Sequence, residues 1–376
     1  MKAPRRVALV HPFPWTEVRR GGERYLHDLA WYLSEQGHLV DVITSSLEPQ
    51  GPVVDGTLSV RTLRRLGHPR LRAAGITPVE THGLSALVAL VGRRYDVVHA
   101  LTPSGALAGR LSGHPTVYSE LGHPTAEDLQ TRPVAWRLWR SATRGARAVT
   151  ALSRSAKRAV DELSDGGPAV VLNPGTRLDR FRPDLAPRTG PPRLLFPADA
   201  NQERKGVAVA LAALGRLLRT HPTARLLLGG PGDHHWAVPR LGADAERILA
   251  SVDVLGVGAL DEIPDRYRQA AVTLLPSWHE AFGLVLTESL ACGTPVVCTD
   301  AGGMPEIVDD PRIGRTFRQG DDADLARAIT EAIALAADPE TPALCARHAR
   351  RWGWRERIGP EHEQLYERIL RTRRRA

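Results

Sequence analysis

Short apolar runs and helical stripes alternate along this chain, and the alternation starts twice. The first start is Arg6-Val7-Ala8-Leu9-Val10, an apolar run of strand length. A loop rich in Pro, Arg and Gly follows from His11 to Gly22. The next segment, Glu23 to Gln36, carries Leu26, Leu29, Ala30 and Leu33 at helical spacing, and Gly37-His38 stops it. Leu39 to Thr44 reads as a strand again. Strand–helix–strand predicts a parallel sheet, because a parallel pair needs a long crossover, and the helices then cover both faces. The pattern recurs at the strands Tyr95–His99, Thr116–Ser119, Ala148–Leu152 and Val170–Leu172, with a helix through Ala106 to Leu111.

Residues 182–192 hold four prolines and no periodicity, which marks a domain linker. The second start follows at Arg193–Pro197. A helix over Gly206–Thr220, strands at Ala224–Leu228, Val252–Gly256 and Val272–Leu275, a helix over Gly283–Cys292 and a strand at Pro295–Thr299 continue it. Trp354 to Arg375 reads as one helix with a basic tail. The expected fold class is α/β, with two Rossmann-like doubly wound domains at 1–181 and 193–356. Such domains in series place a ligand in the cleft between them, at the carboxyl ends of the strands.

Composition narrows the setting. The net charge is +8, and only Lys2, Lys157 and Lys205 among the 50 basic residues are lysines. A lysine in a motif therefore stands out. Cys292, Cys298 and Cys345 are odd in number and scattered, as free thiols in a reducing compartment would be. No apolar run reaches the roughly 18 residues of a membrane span, and Val7 to Val10 is too short for a signal-peptide core. A cytoplasmic protein is expected. Trp136-Arg137-Leu138-Trp139-Arg140 suggests a helix with Arg137, Arg140, Arg144 and Arg147 on one face, which suits peripheral contact with an anionic membrane. An exposed face of an ordinary domain helix is the plainer explanation.

The chemistry concentrates at the strand ends of the second half. In Pro276-Ser277-Trp278-His279-Glu280-Ala281-Phe282-Gly283-Leu284-Val285-Leu286-Thr287-Glu288, a strand ends and a helix starts near Gly283. A helix start offers unpaired amides and partial positive charge to a diphosphate. Glu280 and Glu288 offer carboxylates suited to vicinal sugar hydroxyls. Upstream, Glu203-Arg204-Lys205-Gly206 places a guanidinium and an ammonium on another strand-to-helix loop. Downstream, Gly302-Gly303-Met304-Pro305-Glu306 forms a third glycine-rich turn. Gly21 and Gly22 open the first helix, but no Gly-x-Gly-x-x-Gly follows the first strand, which disfavours a nicotinamide cofactor. Asp322-Ala323-Asp324 reads as a helix cap and His234-His235 lacks partners at ligand spacing, so no metal is expected.

The run from Gly258 through Pro276-Ser277, Glu280, Phe282-Gly283, Glu288, Ala291-Cys292-Gly293-Thr294-Pro295-Val296-Val297, Gly302-Gly303 and Pro305-Glu306 to Gly314 resembles the retaining family 4 glycosyltransferases of the GT-B fold. Gly21-Gly22, Gly37-His38, Asp96-Val97-Val98-His99 and Asn173-Pro174-Gly175 extend the resemblance more loosely through the first half. The resemblance implies a metal-independent enzyme that moves a hexose-type sugar from a UDP- or GDP-type donor to an acceptor hydroxyl with retention. The acceptor would be a small molecule, a glycan or a lipid-linked sugar, with no nucleic acid involved and no separate cofactor. Glu288 would bind the ribose, Glu280 the donor sugar, and Arg204 and Lys205 the diphosphate. Backbone amides at Phe282, Gly283 and Leu284 would assist, and the backbone near Leu260 would meet the base. A C-terminal helix at about 357–376 would cross back onto the first domain.

This sequence departs from the family pattern at two places. Pro197-Ala198-Asp199-Ala200 lacks an arginine the family often carries, which leaves Arg204 to serve alone. A histidine the family often places at the reaction centre is displaced to His123, with Glu120 as a competitor. A nucleotide-sugar epimerase of the same architecture and an inactive sugar-nucleotide binder are the rival readings.

Overall fold

The computed structural model describes residues 3–49, 51–67, 70–71, 75–185 and 190–373. Two compact units emerge: unit 1 runs to Gly175 and resumes at Trp354, and unit 2 runs from Thr176 to Gly353. In unit 1 the strands are β1 (Arg6–Val10), β2 (Leu39–Ser46), β3 (Val53–Asp55), β4 (Leu58–Arg64), β5 (Val97–Ala100), β6 (Thr116–Glu120), β7 (Ala148–Ala151) and β8 (Val170–Val171). Their order is β3-β4-β2-β1-β5-β6-β7-β8, parallel except for the β3–β4 hairpin. Leu9 at the sheet centre pairs with Val42 on one side and His99 on the other. In unit 2, β9 (Arg193–Phe196), β10 (Arg225–Leu228), β11 (Val252–Val254), β12 (Val272–Leu275), β13 (Val296–Thr299) and β14 (Gly314–Phe317) lie in the order β11-β10-β9-β12-β13-β14, all parallel.

The central strands are apolar throughout because helices cover both faces of a parallel sheet. Val7, Ala8, Leu9 and Val10 are wholly buried, and Leu26, Leu29, Ala30 and Leu33 of the first helix are buried too. That helix spans Gly21–Glu35, so Gly21 and Gly22 are its first residues rather than the end of the preceding loop. Strands β4 and β14 and the helices Pro78–Leu90 and Thr341–Ala349 are not among the expected elements, although Thr77 and Glu80 form a capping box at the start of Pro78–Leu90. Asp321, not the Asp322-Ala323-Asp324 run, caps the helix Asp322–Ala337, its carboxylate accepting from the Asp324 amide. Cys292, Cys298 and Cys345 are free and buried, and burial pushes the Cys292 thiol up to about 12. Among the described residues no helix is long and apolar enough to cross a membrane.

The chain changes unit at Gly175–Thr176, ahead of the expected 182–192 linker, of which residues 186–189 lie outside the described residues. The segment after the change packs into unit 2. Phe181 buries its ring against Tyr267, with centroids 6.1 Å apart, and Thr176 Oγ1 lies 2.7 Å from Thr287 Oγ1. Thr176 N also donates to Trp352 O at 2.7 Å, beside the returning strand of chain. Prolines mark where the backbone is irregular; they do not mark where contacts change hands.

The C-terminal segment is not one helix. A π-helical turn, Trp354–Ile358, precedes the α-helix Gly359–Arg373. The expected end of the basic tail, residues 374 and 375, lies outside the described residues. The wide turn coincides with Trp354, whose buried indole stacks on Tyr25 and Tyr32 at 6.0 Å each. A Cβ at Gly359 would sit 2.1 Å from the Tyr32 ring, so only glycine fits there. The helix is then tied into unit 1 by a buried polar network. His362 Nδ1 donates to Ile358 O at 2.7 Å, which leaves Nε2 to accept from Tyr25 OH at 2.6 Å. His99 bridges Tyr366 OH at 2.7 Å and Ser119 Oγ at 2.6 Å.

Burial disfavours charge on these imidazoles. It lowers His362 to about 4 and holds His99 well below the usual histidine range. His11 and His82, also in unit 1, are lowered to about 4 mainly by burial. A folded-state pKa below the unfolded value contributes stability that is complete above about pH 6.5 and is lost as pH falls towards the folded value. For one such group the loss is at most about 3 kcal/mol. Hydrogen exchange between pH 7 and pH 4.5 should therefore show unit 1 losing protection before unit 2. The reverse order would contradict this account.

Candidate functional site

Three loops at the strand ends of unit 2 are held against one another. The loop after β9 closes with a 3-10 turn, Glu203–Lys205, and Gly206 at φ +79°. A Cβ at Gly206 would lie 2.2 Å from Pro276 O, so this loop presses on the end of β12. Trp278 N donates to Arg204 O at 2.7 Å and fixes the register of the two loops. This placement brings Lys205 Nζ within 2.6 Å of Glu280 Oε2, both side chains largely buried. The third loop grips the backbone of Glu280. Gly303 N donates to Glu280 O at 2.9 Å, and a Cβ at Gly302 would meet that oxygen at 2.4 Å. His279, just before Glu280, has φ +53°. Such a conformation costs a non-glycine residue about 1–3 kcal/mol and persists where its surroundings over-determine it.

Gly283, at φ +104°, turns the chain into the helix Leu284–Ala291, with no side chain capping the first amides. Phe282 is buried, its ring edge-on to Trp352 at 6.3 Å. Glu288 is 5 % exposed and accepts a hydrogen bond from Tyr267 OH at 3.0 Å. Arg204 is exposed, and its guanidinium makes no hydrogen bond or ion pair with the described residues. Leu260 lies half-buried in the turn before helix Ile263–Gln269. Asp199, standing where an arginine was sought, accepts from Asn201 N at 3.0 Å and Gln202 Nε2 at 2.8 Å and shapes its own turn. The structure thus joins Arg204, Lys205, Glu280 and Gly283 through neighbouring loops, with Glu288 one helix deeper.

In unit 1, a Cβ at Gly22 would lie 3.1 Å from Leu121 and 3.9 Å from His11 Nε2. The start of the first helix therefore faces both the loop after β6 and His11. Glu120 accepts hydrogen bonds from Tyr118 OH at 2.6 Å, Trp139 Nε1 at 2.8 Å and Gly122 N at 2.9 Å. Its carboxylate is committed to its own strand, the loop after it and the helix Pro133–Gly145. His123 Nε2 lies 3.1 Å from Ser155 Oγ. On the face expected to meet a membrane, Trp139 is buried, Arg137, Arg144 and Arg147 are exposed, and Arg140 and Arg144 both bind Asp165. Sequence reasoning missed Tyr267, His11 and His82, which carry no local motif. It also missed a cluster: Asp233 partners His234 and His235, with ligand atoms of all three within 4.8 Å of one another, against the expectation that the two histidines lack partners at ligand spacing.

Residues 179–352 match the family described as "Glycosyl transferases group 1", and residues 19–180 match "Glycosyltransferase Family 4". A D-inositol 3-phosphate glycosyltransferase of Streptomyces scabiei is 30% identical over 94% of this chain and 89% of its own length. That of Streptomyces bingchenggensis is 34% identical over 55% of this chain, and there the chain spans 49% of the relative. Sucrose-phosphate synthase from Thermosynechococcus elongatus superposes with a TM-score of 0.80 at 21% identity, covering 98% of this chain and 100% of that one. The Anabaena protein HepE, in complex with UDP and glucose, superposes with a TM-score of 0.71 at 19% identity, covering 96% and 100%. The chain belongs to the family 4 glycosyltransferases, and its two parallel-sheet units have the GT-B fold.

Two substitutions test the local geometry. Gly206→Ala forces both a left-handed alanine and a collision with Pro276 O, and should lower stability by more than about 1 kcal/mol in urea unfolding. Tyr267→Phe removes a donor from a buried carboxylate and should cost about 1.5–3 kcal/mol. No measurable loss in either would show that these contacts do not hold the site.

Proposed function

We propose that this enzyme transfers a hexose-type sugar from a UDP- or GDP-type donor to an acceptor hydroxyl, with retention and without a metal in the transfer step. The Lys205–Glu280 contact carries the reading. It sets one cation and one carboxylate side by side at the strand ends, where a donor presents a diphosphate next to a sugar. In this reading a bound donor separates the pair: Lys205 turns to the diphosphate and Glu280 accepts the sugar hydroxyls. Arg204 adds a second cation, and the uncapped amides at Gly283 and Leu284 add partial positive charge. Together they offset the charge that builds on the departing diphosphate. Glu288, oriented by Tyr267, takes the ribose hydroxyls, and the backbone near Leu260 takes the base.

The acceptor belongs to unit 1 in this proposal. Gly21 and Gly22 bring backbone amides close, and His123 is preferred to Glu120 at the reacting hydroxyl because Glu120 is already fully engaged. Relatives named for D-inositol 3-phosphate favour a small phosphorylated polyol or sugar as acceptor. The UDP and glucose bound by the Anabaena protein favour UDP-glucose among the donors. Membrane contact is not part of the reading, since Arg140 and Arg144 are paired within the unit. Retention rests on family membership.

Thermal shifts with a panel of nucleoside diphosphates and nucleotide sugars test the donor site. A ligand at 100 times its Kd stabilises by about 2.7 kcal/mol. A shift confined to one base and one sugar, and lost in Glu288→Ala, is the expected result. Glu280→Gln should abolish turnover while leaving the far-UV spectrum intact; unchanged turnover would remove Glu280 from the mechanism. Proton NMR of the product reads the anomeric configuration directly, and inversion would overturn retention.

A further inference from the structure

We propose that Asp233, His234 and His235 form a binding site for a divalent transition cation of the zinc class, separate from the transfer chemistry. The three residues follow β10 on the loop Gly229-Gly230-Pro231-Gly232 and open the turn His235–Asp244. One ligand atom from each lies within 4.8 Å of the others. His235 Nδ1 contacts Asp233 Oδ1, and the two imidazole rings are 4.6 Å apart at an interplanar angle of 30°. His234 is 6 % exposed, yet among the described residues its ring makes no hydrogen bond. A ring nitrogen with no partner in the protein leaves a lone pair open to a ligand.

The loop is anchored. Asp233 N donates to Asn201 Oδ1 at 2.9 Å, and Trp236 Nε1 donates to Ala200 O at 2.8 Å. At Gly232, φ is +99° and a Cβ would lie 2.6 Å from Asn201 N, so the backbone approaches more closely than any side chain permits.

Two imidazoles and one carboxylate suit zinc, nickel or cobalt and do not suit magnesium or calcium, which take oxygen ligands. A bound cation would replace the proton now shared by His235 and Asp233. The nearby carboxylate of Asp199 is engaged by Asn201 and Gln202, so water completes the coordination. The exposure of Asp233 and His235 gives the ion its entry. Such a cation would rigidify the loop after β10, which hydrogen bonds to Asn201 and Ala200 already tie to the loop that carries Arg204 and Lys205.

Titration of the EDTA-stripped full chain with Zn2+ by calorimetry tests this. One equivalent should bind, and Asp233→Asn and His235→Ala should each weaken it by about tenfold or more. His234→Ala should do the same; the two exposed variants carry the test if loss of the buried ring impairs folding. Co2+ should give visible absorption bands that vanish in the same variants. Absence of a one-to-one site, or unchanged affinity in Asp233→Asn and His235→Ala, would overturn the proposal. Equal binding of Mg2+ would overturn the zinc-class assignment. None of these readouts depends on sugar transfer, so they stand or fall apart from the donor reading.

Discussion

Parallel strand pairing is the constraint on which everything else here depends. A parallel pair cannot be closed by a tight turn, so each strand must be followed by a crossover that returns to the same edge of the sheet. All the carboxyl ends therefore lie along one edge, and the loops that leave them are neighbours in space though far apart in sequence. In unit 2 this makes Arg204-Lys205-Gly206, Pro276 to Glu280 and Gly302-Gly303 adjacent across about a hundred residues of chain. The Lys205–Glu280 contact is the direct product of β9 lying beside β12.

Close packing of backbone on backbone converts that adjacency into a defined site. Gly206 against Pro276 O and Gly302 against Glu280 O leave no room for a Cβ. His279 holds a strained conformation between these two clamps. The candidate site is thus supported by main chain packed on main chain. Tyr267 plays the equivalent part for Glu288 from an adjacent helix.

Unit 1 is organised differently. Its buried polar network of His99, Ser119, Tyr25, His362 and Tyr366 ties the last helix of the chain to the sheet of unit 1, with His99 and Tyr366 267 residues apart in sequence. Aromatic stacking on Trp354 supplies apolar contact, and the hydrogen bonds fix the helix in one register. Neutral histidines serve this purpose because each can donate at one nitrogen and accept at the other.

Residue pattern was enough for the fold class, the two starts of the β–α series, the central strands and the residue types at the strand ends. Those features are local: apolar runs, helical stripes and glycines at turns act over a few residues. It also pointed to the family, because the stretch from Gly258 to Gly314 keeps its glycines, prolines and carboxylates at the family's spacing. Only the tertiary structure decided that the chain changes unit at Gly175 rather than at its prolines, that Glu120 is spent on Tyr118 and Trp139, and that the last helix begins with a widened turn. It alone brought Tyr267 to Glu288 and Asp233 to the two histidines that follow it. These outcomes depend on which surfaces meet after the sheets form, and no periodicity in a single segment encodes its partner.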